Sequence, residues 1–144
     1  MSIPRESRLR KHAEYELVYR CGRRHFSQVL TAFYLLRASD SGGSAGPRIG
    51  ITVGKALGKA TIRNRIKRRV RAAVSENLNR LTRSVDVVVN PKKVTLDIEY
   101  GQISLEVARA FDVIEQKAGL EDARATPEAG NRGAEKSRIA IRNS

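Results

Sequence analysis

The chain has 144 residues, with 28 Lys or Arg against 15 Asp or Glu, giving a net charge of +13 at pH 7 and a pI near 10.7. That length allows one domain with one modest core. The single cysteine, Cys21, excludes an internal disulfide and a thiolate zinc cluster, and no apolar run approaches the roughly 18–20 residues of a membrane-spanning helix.

The N-terminus, MSIPRESRLRKHAEYE, lacks the apolar core of a signal peptide, which predicts a soluble, cytoplasmic protein. Residues 1–8 are polar and expected to be flexible. From Leu9 to about Cys21 the sequence predicts a helix that Gly22 can stop. Ala13, Leu17 and Cys21 step by four along one side, with Cys21 expected to be a small buried side chain. Tyr15 and Tyr19 stack on a different side, near Val18. SQVLTAFYLLRA (27–38) is rich in β-formers and predicts a strand. SDSGGSAGP (39–47) has the composition of a flexible loop, and RIGITVG (48–54) predicts a second strand, so the two strands are expected to pair as a hairpin. A helix follows from about Thr61 to Leu81, then a short buried strand, SVDVVVN (84–90), closed by Asn90-Pro91. Ile103, Val107, Ala110, Phe111, Ile114 and Ala118 form one helical stripe, expected to end before Gly119. The domain is therefore placed at 9–118, with 119–144, poor in apolar residues, as a disordered tail.

The charge is unevenly placed. Residues 1–75 hold 17 Lys or Arg and four acids, whereas 76–144 hold 11 of each, so the whole excess sits in the N-terminal half. Between Lys55 and Arg71, KALGKATIRNRIKRRVR has eight basic residues and no acid. Such a field repels itself and predicts a polyanionic partner, nucleic acid before membrane. At about 100° per residue, Ile62, Ile66, Val70, Ala73, Val74, Leu78 and Leu81 share one arc, the expected core face. Arg65 and Arg68 point away from it, flanked by Arg69 and Arg71. Lys67 lies at the core edge, where it can snorkel or reach the polyanion. Arg63 projects into the apolar arc, but sits in the first turn, where its long side chain can leave the core. Cations at a helix N-terminus are locally unfavourable, and a helix built for stability alone places acids there. Lys59, Arg63 and Arg65 instead concentrate positive potential beside free backbone N–H groups, which suits a phosphate. VGKALGKA is not a P-loop, because Gly54 and Gly58 are four apart and Lys59 precedes Ala60.

The run RIGITVGKALGKATIRNRIKRRVR resembles the RNR-motif region of the bacterial ribonuclease P protein subunit, R-x-G-x-x-V-s-K-K-x-G-x-A-x-x-R-N-R-x-K-R-x-x-R. Arg48, Gly50, Val53, Lys55, Gly58, Ala60, Arg63, Asn64, Arg65, Lys67, Arg68 and Arg71 match at the family's spacing. Upstream, Tyr15, Val18, Tyr19 and Gly22 resemble the family's aromatic-x-x-V-aromatic-x-x-G stretch. The resemblance spans about residues 8 to 118. It departs at Ala56, where the family has a second lysine, and at Gly54, where it has serine.

The resemblance implies an α/β (α+β) fold in α-β-β-α-β-α order, a small central mixed sheet packed by helices, with a left-handed β-α-β crossover. It implies an RNA subunit that cleaves the 5′ leader from precursor tRNA with Mg²⁺, bound mainly by that RNA, while the basic protein binds the RNA, one to one, and grips the leader. RNA contacts are then expected at Lys55, Lys59, Arg63, Asn64, Arg65, Lys67, Arg68 and Arg71, and a leader cleft at Tyr15, Tyr19 and Phe33. The alternation of VLTAFYLL leaves either Phe33 or Tyr34 facing that cleft, and Phe33 matches the family position. No catalytic residue is assigned, since no Ser/His/Asp set or carboxylate cluster stands out, and His12 and His25 make no convincing site. A ribosomal or general RNA-binding protein shares every charge feature, but the paired tyrosines and the full motif spacing separate it. A DNA-binding regulator would need a helix-turn-helix partner, and here a strand and a glycine-rich turn precede the basic helix.

Overall fold

The computed structural model describes residues 3–37 and 46–124. The elements in chain order are α1 (His12–Cys21), β1 (Arg23–Phe26), β2 (Leu30–Leu36), β3 (Arg48–Ile51), α2 (Ala60–Asn77), β4 (Val85–Pro91) and α3 (Tyr100–Arg124). The four strands form one mixed sheet in the order β1-β2-β4-β3. β1, β2 and β4 are antiparallel neighbours, and β3 runs parallel to β4. The 18-residue α2 therefore bridges two adjacent parallel strands in a β-α-β unit, which a two-residue turn could not do.

Two expectations about the sheet are corrected. The strand expected over 27–38 contains a hairpin turn and begins only at Leu30; the preceding strand, β1, is an additional element. Ser27 makes that turn, its hydroxyl accepting from the backbone N–H groups of Val29 and Leu30. β2 also does not pair with β3. β4 lies between them, and its run Val87–Val89, buried on successive residues, suits a strand covered on both faces.

Strand alternation sorts the side chains into two layers. Leu30, Ala32, Tyr34, Ile49, Val85, Val87 and Val89 face the principal core, with Ile66, Val70 and Val74 of α2 and Ile103, Val107, Phe111 and Ile114 of α3. Val88 faces the opposite side, in a smaller cluster with Leu9 and Val18, against which Tyr15, Phe33 and Leu35 pack. α1 covers that side, and Val18 is its one buried side chain, contributing about 1.5–3 kcal/mol. Its Ala13, Leu17 and Cys21 side faces solvent, so Cys21 is exposed rather than buried as expected.

The segment expected to be flexible is docked from Ile3 onward. Ile3 is in the principal core, and Arg8 bridges to Ile49 at the free edge of β3. Leu9 belongs to this edge contact, its N–H donating to Ile49 O, so α1 starts later than expected. At the other end, α3 does not stop at Gly119 but continues to Arg124. The ion pair Arg23–Glu121, at 2.5 Å, ties this last part to β1. Residues 39–45 of the expected loop, Ala38 before it and the tail from 125 lie outside the described residues.

Candidate RNA interface

The basic motif begins in a single 3₁₀ turn, Lys55–Leu57, which leaves Lys55 and Ala56 exposed. Gly58 then reverses the chain at φ 140°, in the left-handed region that glycine adopts without strain. A Cβ there would also press on Ile62 at 3.2 Å. Lys59 is the exposed N-cap of α2, and its side chain makes no capping hydrogen bond. The first turn contains no acid, as the sequence shows. Arg63 resolves the conflict between helical wheel and motif in a third way. It is half-buried, and its Nε donates to Gly58 O at 3.0 Å, fastening the glycine turn to the helix.

Asn64, Arg65 and Arg68 are exposed. Arg65 and Arg68 line a depression of about 470 Å³ with Thr61, Ile62, Leu96 and Asp97. Asp97 reaches it from the 3₁₀ turn before α3, so an acid far along the chain borders a surface that has none locally. Arg69 does not face outward as expected. It is half-buried, its Nη2 donating to Ile98 O, and its Nε is buried without a hydrogen-bond partner among the described residues.

Lys67 and Arg71 lie on the other flank of α2. Both are half-buried and border a groove of about 450 Å³ that rounds the β3 edge, with Arg8, Leu9, Tyr15 and Gly50. The motif thus divides between two flanks. Arg65 and Arg68 serve one surface, while Lys67 and Arg71 share a groove with an aromatic of α1.

Tyr15 lies over Gly50 so closely that a Cβ there would stand 2.5 Å from its hydroxyl. Burial, then the neighbouring Tyr19 and Glu14, push the Tyr15 hydroxyl pKa up, so it stays a neutral donor. It donates weakly to Leu9 O at 3.4 Å. Tyr19 is 37% exposed and meets Phe33 edge to face, the centroids 4.8 Å apart at 81°. Its hydroxyl donates to Asn90 Oδ1 at 3.0 Å. The Arg24 guanidinium lies 5.7 Å from the Phe33 ring centroid, within cation–π range. Phe33 therefore shares the α1 side of the sheet with Tyr15 and Tyr19, whereas Tyr34, 5% exposed, faces the principal core.

A buried ionic network supports this face from one end. Arg48 donates through Nε and Nη2 to Asp86 at 2.9 and 2.8 Å, and through Nη1 to Glu14 at 2.9 Å. Arg37 adds a 2.6 Å bond to Asp86. The network joins β3, β4 and the chain after β2 to α1. Burial opposes ionisation of Glu14, but the backbone N–H groups of Lys11 and Arg10, with Arg48, outweigh it and hold the carboxyl below its usual range. Arg48, a motif residue, thus sets the position of α1 from beneath.

Sequence reasoning missed Arg24 and Asn90. Arg24 lies in RRHF, a short polar stretch with little hydrophobic alternation, so 23–26 was not recognised as a strand. Asn90 had no local signal, because it meets Tyr19 across 71 positions of sequence.

The ribonuclease P family model matches residues 3–115. Among solved structures, the chain resembles the ribonuclease P protein from Thermotoga maritima at 25% identity, covering 75% of this chain and 97% of that one, with a TM-score of 0.65. It shares the fold of the Staphylococcus aureus ribonuclease P protein at 22% identity, covering 76% and 95%, with a TM-score of 0.64. A search of curated proteins found no match. The family match covers more than half of the chain, and the sheet, helices and motif order agree with it: the chain belongs to the ribonuclease P protein family.

Proposed function

We propose that this chain is the protein subunit of a bacterial-type ribonuclease P, which assists an RNA subunit in removing the 5′ leader from precursor tRNA. Beyond family membership, one observation carries the finer reading. Tyr15, Tyr19 and Phe33 converge on one side of the sheet, and the groove at Tyr15 continues to Lys67 and Arg71. Aromatic faces beside a cationic groove are what a single strand of RNA requires, stacking for bases and charge for phosphates. The leader is assigned to that face. The RNA subunit is assigned to the exposed cations Lys55, Lys59, Arg65 and Arg68, with Asn64 beside them, in a one-to-one complex. Arg63 acts indirectly, by holding the Gly58 turn.

The chain's work is binding and positioning. Among the described residues, no group of three or more His, Cys, Asp or Glu could hold a metal ion. The Mg²⁺ of such an enzyme is assigned to the RNA, where it would supply the chemistry of phosphodiester hydrolysis. No helix among the described residues is long and apolar enough to cross a membrane. The cytoplasm, where tRNA is processed, is the proposed location.

Affinity measurements test this reading. Added to a bacterial ribonuclease P RNA, the chain should tighten binding of leader-bearing precursor tRNA more than of mature tRNA. Tyr19→Ala should weaken the precursor complex by about 1–3 kcal/mol and leave the mature complex nearly unchanged. Equal losses for both RNAs would remove the leader from this face.

A further inference from the structure

Strand β1 carries an aromatic that the reading above does not use. Phe26 is 66% exposed, the most exposed large apolar side chain among the described residues. In the β1–β2 register, Phe26 stands opposite Thr31 and Arg24 opposite Phe33. Directly opposed residues project to the same side of a sheet, and so do residues two apart on one strand. Arg24, Phe26, Thr31 and Phe33 therefore share one side, the one on which Tyr19 meets Phe33. The long helix α3 packs on the other side, with Tyr34 and Ala32, and does not cover Phe26.

A lone exposed phenylalanine needs no explanation. Phe26 is not alone. It lies two residues, roughly 7 Å, along the strand from Arg24, whose guanidinium is already over the Phe33 ring. Aromatic, cation and aromatic thus follow one another toward the open β1 edge of the sheet. That spacing offers a ring for a base, a charge for the phosphate beside it and a second ring for a later base. A second protein surface would be met poorly here, since the cation Arg24 is exposed on the same side of β1 as the ring. A single RNA strand is complementary to both charge and ring.

We infer that Phe26 is a further stacking position for the same RNA strand, continuing the track from Tyr19 and Phe33 along β1, with Arg24 neutralising a phosphate between the two platforms. This rests on the assignment of the leader to the α1 side. Stacking on Phe26 is sequence-tolerant, because every base has a π-face. Leader recognition then extends over more nucleotides than the α1 cleft alone can hold.

The experiment uses the full chain assembled with a bacterial ribonuclease P RNA. Affinity is measured for precursor tRNAs whose leaders lengthen one nucleotide at a time, with wild type, Tyr19→Ala, Phe26→Ala and Phe26→Trp. Wild type should gain affinity in steps. Phe26→Ala should lose one step, roughly 5- to 150-fold, at a leader length different from the step missing in Tyr19→Ala, and Phe26→Trp should keep it. The exposure of Phe26 means that Phe26→Ala should melt like wild type. If wild type and Tyr19→Ala show their steps and Phe26→Ala matches wild type at every length, the inference about Phe26 fails and the leader assignment stands. If wild type gains nothing from any leader, both fail.

Discussion

Gly50 shows how one residue of the motif acts through the packing of a neighbour. A methyl group at this position would stand 2.5 Å from the Tyr15 hydroxyl and 2.6 Å from two ring carbons. The glycine allows the tyrosine ring to approach β3 closely at the rim of the basic groove. Gly50→Ala should displace Tyr15 and destabilise the fold by about 1–3 kcal/mol, the usual cost of overpacking. Denaturant unfolding of a double-mutant cycle checks the cause. In a Tyr15→Ala background the added cost of Gly50→Ala should largely vanish. A cost unaffected by Tyr15 would show that the ring is not what requires the glycine. Arg63 also has a role within the fold. Its place in the motif suggested RNA and its place on the wheel suggested the core, yet its guanidinium is used to brace the turn at Gly58.

At the scale of the element, α2 sustains two surfaces at once. Its apolar arc supplies Ile66, Val70, Ala73 and Val74 to the core, and the same 3.6-residue period places Arg65 and Arg68 in solvent. If those arginines meet phosphates, the double variant Arg65→Ala/Arg68→Ala should flatten the salt dependence of binding to the RNA subunit. The slope of log affinity against log salt should fall by about 0.7–0.9 for each phosphate no longer neutralised. An unchanged slope would show that they serve another purpose, and Asp97, which borders them, is the first group to consider. The arc of α2 was legible in the sequence because one helix carries the whole signal. The buried strand β4 was legible for the same reason, its valines being contiguous. Partners at a distance were not. Nothing local tells β2 to pair with β4 rather than β3, because the parallel β3–β4 pair forms across the length of α2. β1 was hidden because it is four residues long, mostly exposed and mostly polar, which leaves little hydrophobic alternation to detect. The motif therefore located the basic helix from sequence, while the company of Phe33, with Arg24 and Asn90 around it, needed the sheet. α3 outran its expected end because one helical glycine costs only about 1 kcal/mol, and Arg23 draws Glu121 onward.

Across the whole molecule, charge is divided by use. The C-terminal half is neutral, and several of its described acids pair with arginines. Asp86 holds Arg37 and Arg48, Asp112 meets Arg80 at 3.0 Å, and Glu115 meets Arg83 at 3.9 Å. The N-terminal half keeps its excess where α1, the sheet and the start of α2 meet. A small domain thus presents a stacking face and a cationic helix on a frame braced by ion pairs, of which those at Asp86 are the most buried. That division supports the proposed role of binding and orienting RNA. The most direct measurement is cleavage of precursor tRNA at low Mg²⁺ by a bacterial ribonuclease P RNA, with and without the purified chain. The account predicts that the chain restores 5′-leader cleavage to an RNA nearly inactive under those conditions, and cleaves nothing alone. Cleavage by the chain without RNA, or no rescue by a chain that binds the RNA, would contradict it.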